Sequence, residues 1–157
     1  ISAARAELVS QVVHGDRVLV SDGRTIGSLT EKFDAILIDA PCTGLGALRR
    51  RPEVRWRRTL QDLRALTQLQ RELVDSAIQA LNPGGVLGYA TCSPHLAETS
   101  VQVSDIKKNH PELHQLDVDP FLPPSLHVAT RDGALSLWTH KHGTDAMYLA
   151  LFRKEIG

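Results

Sequence analysis

The run Phe33-Asp-Ala-Ile-Leu-Ile-Asp39 constrains the fold more than any other stretch of the chain. Ala35 to Ile38 are apolar without alternation. Such a run predicts a strand covered on both faces, as in a parallel sheet. A second strand follows over "GVLGYAT", Gly85 to Thr91, and a third, shorter one over "RVLVSDG", Arg17 to Gly23. Between the first two lies the clearest helix, residues 60–81. Its Leu63, Leu66, Leu69, Leu73, Ala77 and Ala80 form one stripe, and Asn82-Pro83-Gly84 stops it. Strands alternating with helices predict an α/β fold with a largely parallel sheet.

The rest of the chain fits around that pattern. Residues 2–13 predict a helix with Ala3, Ala6, Val9 and Val13 on one face, ended by Gly15. Residues 24–31 read as irregular and 40–58 as a long loop with a basic second half. Ser93 and Pro94 suit the N-cap and first turn of a helix reaching about Asn109, with Leu96, Val101 and Ile106 on its buried side. Pro111 ends it, and residues 112–129 are broken by prolines. Residues 134–140 and 146–154 predict a closing antiparallel pair, joined by His140 to Asp145.

Composition narrows the function classes. The 157 residues suffice for one domain with a core. Lys and Arg number 18, as do Asp and Glu, so any nucleic-acid contact must come from a local patch. Two cysteines are too few for a disulfide framework, which points to a reducing, cytoplasmic compartment. No apolar run approaches the roughly 18 residues of a spanning helix, and no signal segment opens the chain. The chain opens at Ile1, already in a helical pattern, as expected of a fragment.

Ligands of open α/β sheets gather beyond the carboxyl ends of the strands. Asp22, Asp39 with Cys42, and Cys92 stand at such ends. Amide groups at the helix start after Cys92 would favour its thiolate, the nucleophilic form; the bland alternative is a small buried side chain. Cys42 sits in a Pro-Cys-Thr-Gly loop, fifty residues from Cys92 and far from the Cys-x-x-Cys spacing of redox pairs. Asp39 is either a turn cap or a carboxylate aimed into the cleft. Asp22 before Gly23 is a turn residue or a ligand for an amine or hydroxyl. Arg49, Arg50, Arg51, Arg55, Arg57 and Arg58 fall within ten residues, opposed only by Glu53 and interleaved with Trp56. Guanidinium forks suit phosphate and an indole stacks on bases; a solvated surface with Trp56 tucked into the core is the plainer reading. The seven histidines give no convincing metal-ligand spacing.

The two stretches "FDAILIDAPCTGLG" and "GYATCSPHLAET" together resemble the NOL1/NOP2/Sun RNA cytosine-5 methyltransferases, the bacterial ribosomal-RNA branch in particular. Asp39, Ala40, Pro41, Cys42, Thr43, Gly44 and Gly46 match the family's Asp-Ala-Pro-Cys-Ser/Thr-Gly-x-Gly, and Thr91, Cys92 and Ser93 match its Thr-Cys-Ser. The Arg49–Arg58 segment is similar to the basic stretch after the first motif, "AARAELV" to the helix after the ribose-binding acid, and the closing residues to the last hairpin. Ala146, Met147 and Tyr148 depart from the usual Gly-Phe-Phe, and of the acidic run after Thr-Cys-Ser only Glu98 remains. The resemblance implies a Rossmann-like fold and S-adenosylmethionine as methyl donor. It implies Cys92 as the thiolate that adds to carbon 6 of cytosine, Cys42 as the thiol that assists release, and Asp39 as the group on the base edge. Asp22, Asp39 and Pro41 would face the cofactor, and Arg49 to Arg58 with Trp56 would face RNA, expected to be ribosomal.

The family's glycine-rich cofactor loop, of the type Ala-Ala-Pro-Gly-Gly-Lys-Thr, has no counterpart in the chain, nor has its ribose-binding acid. Residues 1–157 are therefore expected to be the C-terminal portion of the catalytic domain, binding S-adenosylmethionine weakly, inactive alone, and prone to self-associate through an open sheet edge. The rival readings are a noncatalytic RNA-binding module, a DNA cytosine methyltransferase attacking through Cys42, and a thiol oxidoreductase.

Overall fold

A computed structural model describes residues 3–13 and 18–156. The expectations placed on His14, Gly15 and Arg17 lie outside the described residues. In chain order the elements are α1 (Ala3–Val12), β1 (Phe33–Asp39), α2 (Val54–Arg57), α3 (Leu60–Ala80), β2 (Leu81–Thr91), α4 (Ser100–Asn109), β3 (Leu113–Leu116), β4 (Thr130–Arg131), β5 (Ala134–Leu137), α5 (Thr139–His142) and β6 (Met147–Lys154). Short 3-10 turns join several of them, including Gly23–Ser28, Leu45–Ala47 and Leu96–Glu98.

The sheet runs β1-β2-β6-β5-β4, with β3 also paired to β6. β1 and β2 are parallel, with Ile38 opposite Tyr89 and Asp39 opposite Ala90. Every other pairing among the described strands is antiparallel, so the expected largely parallel sheet is corrected to a mixed one. The predicted closing hairpin is present as β5 and β6.

Helix α3 forms because Thr59 and Asp62 make a reciprocal capping box at its start. At its other end the Lys154 ammonium donates to the carbonyls of Ile78 (2.8 Å) and Leu81 (2.9 Å), satisfying groups that the helix leaves open. The chain then reverses straight into β2 through Gly84, whose φ of +78° favours glycine. The buried face of α3 carries Thr67, Gln70, Val74, Ala77, Ile78 and Ala80; of the predicted stripe Ala77 and Ala80 are buried, whereas Leu63, Leu66, Leu69 and Leu73 are only half-buried. Val74, Ala77 and Ile78 pack with Leu87, Tyr89, Val103, Ile106, Ala150 and Phe152 to form the main core. A smaller cluster on the opposite sheet face joins Val118, Ala129 and Leu135 to Leu149 and Leu151.

Further expectations change. Residues 18–22 form no strand, because none of the described strands stands beside them to complete a ladder; Leu19 and Val20 are exposed. β1 is an edge strand among the described strands, so the predicted two-sided cover is absent and Leu37 is 70% exposed, while Ile36 and Ile38 still reach the core. The apolar face of α1 is likewise open at Val9 and Val13. The helix predicted from Ser93 begins only at Ser100, after the 3-10 turn capped by His95. Of its expected apolar residues Ile106 is buried, whereas Leu96 and Val101 are exposed. Residues 112–129, read as broken, contain β3 and two more 3-10 turns.

Candidate active site at the cysteine pair

The carboxyl ends of the parallel strands bring the two cysteines together. β1 ends at Asp39 and β2 at Thr91, so Cys42 and Cys92 each lie a short step beyond their strand. Their sulfur atoms are 3.4 Å apart. Both are half-buried and free.

The contact is held by the backbones around it. The Gly46 N–H donates to the Cys92 carbonyl (2.9 Å), and the Gly46 carbonyl accepts from Ala146 N–H (2.9 Å). A Cβ on Gly46 would stand 2.1 Å from the Ala146 carbonyl oxygen, so only glycine lets the Cys42 loop, the Cys92 loop and the start of β6 meet.

A buried polar brace lies directly beneath. Glu98 is fully buried. Its Oε1 accepts from the Thr43 backbone N–H (2.8 Å) and from Gln70 Nε2 (3.2 Å), and its Oε2 accepts from the Thr43 hydroxyl (2.6 Å). Thr43 Oγ1 also lies 3.2 Å from Ser93 Oγ. Thus the neighbour of Cys42 is tied to the neighbour of Cys92. Gln70 donates to the Pro41 carbonyl (2.8 Å), Tyr89 hydroxyl stands 3.1 Å from Gln70 Oε1, and Gln102 donates to the same oxygen (3.1 Å). A buried carboxylate with no cation beside it persists only when donors fill its lone pairs, and here Thr43 and Gln70 do so. Sequence reasoning noted Glu98 only as the remnant of an acidic run and missed the brace. The available signal was polarity on buried helical positions: Thr67, Gln70 and Gln102 interrupt otherwise apolar faces.

The electrostatics separate the sulfurs. The hydrogen bond with Cys42 holds the Cys92 thiol down at about 7, against burial and the negative charges of Asp39 and Glu98. Cys42 is pushed well up by the same hydrogen bond and by its burial. The expected source of a Cys92 thiolate, a helix N-terminus, is therefore replaced by a neighbouring thiol.

The other singled-out residues divide. Asp39 is exposed at the tip of β1, close enough for its charge to oppose ionisation of Cys92. Asp22 caps the Gly23–Ser28 turn, and its carboxylate is held by the Arg24 guanidinium (2.7 Å), which draws its pKa down to about 2. Arg24 also reaches Glu72 (3.2 Å), so Asp22 belongs to a surface ion-pair chain along α3. The arginine cluster is not one patch. Arg49 and Arg50 both bind the Asp145 carboxylate, which the sequence reading did not foresee as their partner. Arg58 Nε donates to the Thr43 carbonyl (3.2 Å), linking the basic loop to the brace. Arg51, Arg55 and Arg57 are exposed, as is Trp56, 79% of whose surface is open, and Arg55 lies over its ring at 5.2 Å. The tucked-in indole is thereby corrected. A groove of about 1020 Å³ opens beside Ser93 and Pro94, with Lys107, Lys108, Arg131 and Trp138 on its walls; neither cysteine lines it, so it adjoins the site without containing it. Among the described residues no group of His, Cys, Asp or Glu is arranged to hold a metal ion, and no helix is long and apolar enough to cross a membrane.

Known proteins share this arrangement of chain. A protein of Mycobacterium tuberculosis (strain ATCC 25618 / H37Rv) named as a methyltransferase is 52% identical over 155 residues, covering 98% of this chain and 34% of its own length. The ribosomal RNA small subunit methyltransferase B of Vibrio cholerae is 40% identical over 119 residues, 76% of this chain and 26% of the relative. The crystal structure of NSun6 from Pyrococcus horikoshii with SFG superposes with a TM-score of 0.82 at 28% identity, over 98% of this chain and 39% of that one. The sheet, mixed as it is, is that of the S-adenosylmethionine-dependent methyltransferases. The chain spans about a third of the length of the Mycobacterium relative and about a quarter of the Vibrio one. Residues 3–153 match the family model described as 16S rRNA methyltransferase RsmB/F, and with the two cysteine loops joined as above the chain belongs to that family.

Proposed function

We propose that this chain is the base-handling, C-terminal portion of an enzyme that methylates carbon 5 of cytosine in RNA, ribosomal RNA of the small subunit being the substrate class, in the cytoplasm. The observation that carries this reading is the 3.4 Å contact between two sulfurs from loops fifty residues apart. One sulfur is poised as a thiolate near neutral pH and the other is kept as a thiol. In this assignment the Cys92 thiolate adds to carbon 6 of the ring, leaving carbon 5 electron-rich enough to accept a methyl group. Asp39, at the strand tip beside the sulfurs, accepts a hydrogen bond from the base edge. Cys42 assists release of the product, and its retained proton suits that role. The nucleophile is placed on Cys92 because Thr91, Cys92 and Ser93 match the Thr-Cys-Ser of the resemblance; a DNA-type scheme would place it on Cys42 in the Pro-Cys loop.

S-adenosylmethionine supplies the methyl group when bound. The residues described here fit it only in part. Asp39 is open to a ligand, but the Asp22 carboxylate is occupied by Arg24 and the Pro41 carbonyl by Gln70. We therefore assign this chain alone weak cofactor binding, with no turnover. Calorimetry on the 157-residue chain tests this: no measurable heat is expected, and tight binding would contradict it. The exposed guanidinium groups of Arg51, Arg55 and Arg57, with Trp56, are the RNA-facing part of the basic loop, while Arg49 and Arg50 hold the loop to Asp145. Phosphate contacts of this kind position the strand without reading its sequence. The direct test of the activity is methyl transfer onto unmodified small-subunit RNA by the full-length protein. No transfer to any RNA would leave a noncatalytic RNA-binding module.

A further inference from the structure

We propose that Cys42 and Cys92 together form a modification site for hydroperoxides, at which the two sulfurs close into an intramolecular disulfide. The inference goes beyond RNA methylation, and only its consequence for activity rests on the function proposed above. The spacing of fifty residues hides the pair in the sequence; the fold supplies what a Cys-x-x-Cys segment supplies elsewhere, two sulfurs in contact.

Three observations converge. The sulfurs are 3.4 Å apart, and a disulfide bond measures about 2.05 Å, so each side chain has well under 1 Å to travel if both move. The loops behind them are already fastened to one another, by Gly46 to Cys92 and by Thr43 to Ser93 and Glu98, which keeps the two sulfurs facing each other. Both residues keep part of their surface open, which admits a small peroxide. A thiolate that is accessible and adjacent to a second thiol is the arrangement of oxidant-sensitive cysteines. With only two cysteines in the chain, no other thiol competes within it.

The chemistry balances with hydrogen peroxide as oxidant. The Cys92 thiolate attacks one peroxide oxygen; the S–O bond forms, the O–O bond breaks, and hydroxide leaves to take up a proton as water. Sulfur is oxidised to the sulfenic acid as oxygen is reduced. Cys42 then gives up its proton and attacks the Cys92 sulfur; the S–S bond forms, the S–O bond breaks, and the departing hydroxide takes that proton as a second water. Two thiols and one peroxide give one disulfide and two waters. In that state neither sulfur is free to add to a base, so the modification would silence the enzyme until a dithiol reduces it.

The test needs neither RNA nor cofactor. The 157-residue chain is treated with one equivalent of hydrogen peroxide and followed by intact mass and thiol titration. Expected are a loss of about 2 Da, a fall in titratable thiols from two to none, a Cys42–Cys92 peptide in the digest, and full reversal by dithiothreitol. In Cys42→Ser the reaction should stop at a sulfenic acid on Cys92, about 16 Da heavier and captured by dimedone. In Cys92→Ser oxidation should slow by about tenfold or more. The proposal is overturned if wild-type Cys92 passes to sulfinic acid while Cys42 remains alkylatable, or if the main product is a cross-linked dimer. Since methyl transfer by the full-length protein is scored separately, failure of either assay leaves the other result standing.

Discussion

The cysteine cleft and the outer edge of β1 lie on the same two strands and are built in opposite ways. At the cleft, a fully buried carboxylate, two glutamines, a tyrosine and a threonine satisfy one another, and Gly46 ties three segments together. At the edge, Leu37 faces outward; the segment before β1, with Leu19 and Val20 exposed, is capped locally by Asp22 and Arg24, and its turn rests on α3. The contrast shows that the geometry of the two sulfurs is set by contacts within this chain. The side on which the resemblance places the cofactor lacks comparable support here.

The contrast is broken most severely at Glu98. Glu98→Ala leaves the Thr43 N–H and one Gln70 hydrogen without a partner in the interior, while the Thr43 hydroxyl falls back on Ser93. At about 1–3 kcal/mol for each unsatisfied group, partly relieved by relaxation, a loss of roughly 2–4 kcal/mol is expected in urea unfolding. Leu37→Ala at the open edge should change stability by less than about 0.5 kcal/mol. Equal losses at the two positions would erase the distinction.

A second prediction concerns the sulfur pair. Cys92 is a thiolate above about 7 and loses that form as pH falls through it. Its alkylation by iodoacetamide should therefore rise with a midpoint near 7. Cys42→Ala removes the S–H donor while Asp39, Glu98 and burial still oppose the charge, so the midpoint should move to 9.0 or above, the ordinary thiol value. At neutral pH the rate should fall by roughly fiftyfold, the ratio of thiolate populations. An unchanged profile would show that the contact does not tune Cys92.

The basic loop sharpens the comparison from the RNA side. Arg51→Ala with Arg57→Ala should weaken RNA binding by the full-length protein across all sequences and reduce the salt slope by about 2. Arg49→Ala should act mainly on stability, because its guanidinium is committed to Asp145 and the Gly143 carbonyl. A gain in place of a loss is expected at Thr91, whose hydroxyl is buried without a partner. Thr91→Val keeps the shape and removes the unsatisfied group, for a gain of about 1 kcal/mol in thermal or urea unfolding.

Much of this was legible in the sequence, and the misses have common causes. The apolar run at Ala35 to Ile38 identified β1, and the leucine-rich stretch with its Asn-Pro-Gly stop identified α3. The two cysteine loops were placed at strand ends because a strand followed by Pro-Cys or Cys-Ser-Pro leaves few alternatives. What failed depended on neighbours. A strand at Val18 to Asp22 needs a ladder that the described residues do not provide, and the leucines of α3 were read as core although Thr67 and Gln70 take the buried face. Asp145, opposite Arg49 and Arg50 but almost a hundred residues away, gave no local signal. The Glu98 brace was missed because its partners Thr43 and Gln70 are distant in sequence, and the polar residues on the buried helical faces were its only trace.

The central claim is that Cys92 attacks the base and Cys42 stands by to release it. The most direct measurement is the covalent adduct that the full-length protein forms with small-subunit RNA carrying 5-fluorocytosine, in the presence of S-adenosylmethionine. A stable protein–RNA band is predicted for the wild type, mapped by digestion to Cys92 and absent in Cys92→Ala; with ordinary RNA the band should accumulate in Cys42→Ala. A band that survives Cys92→Ala, or one that maps to Cys42, would contradict the assignment.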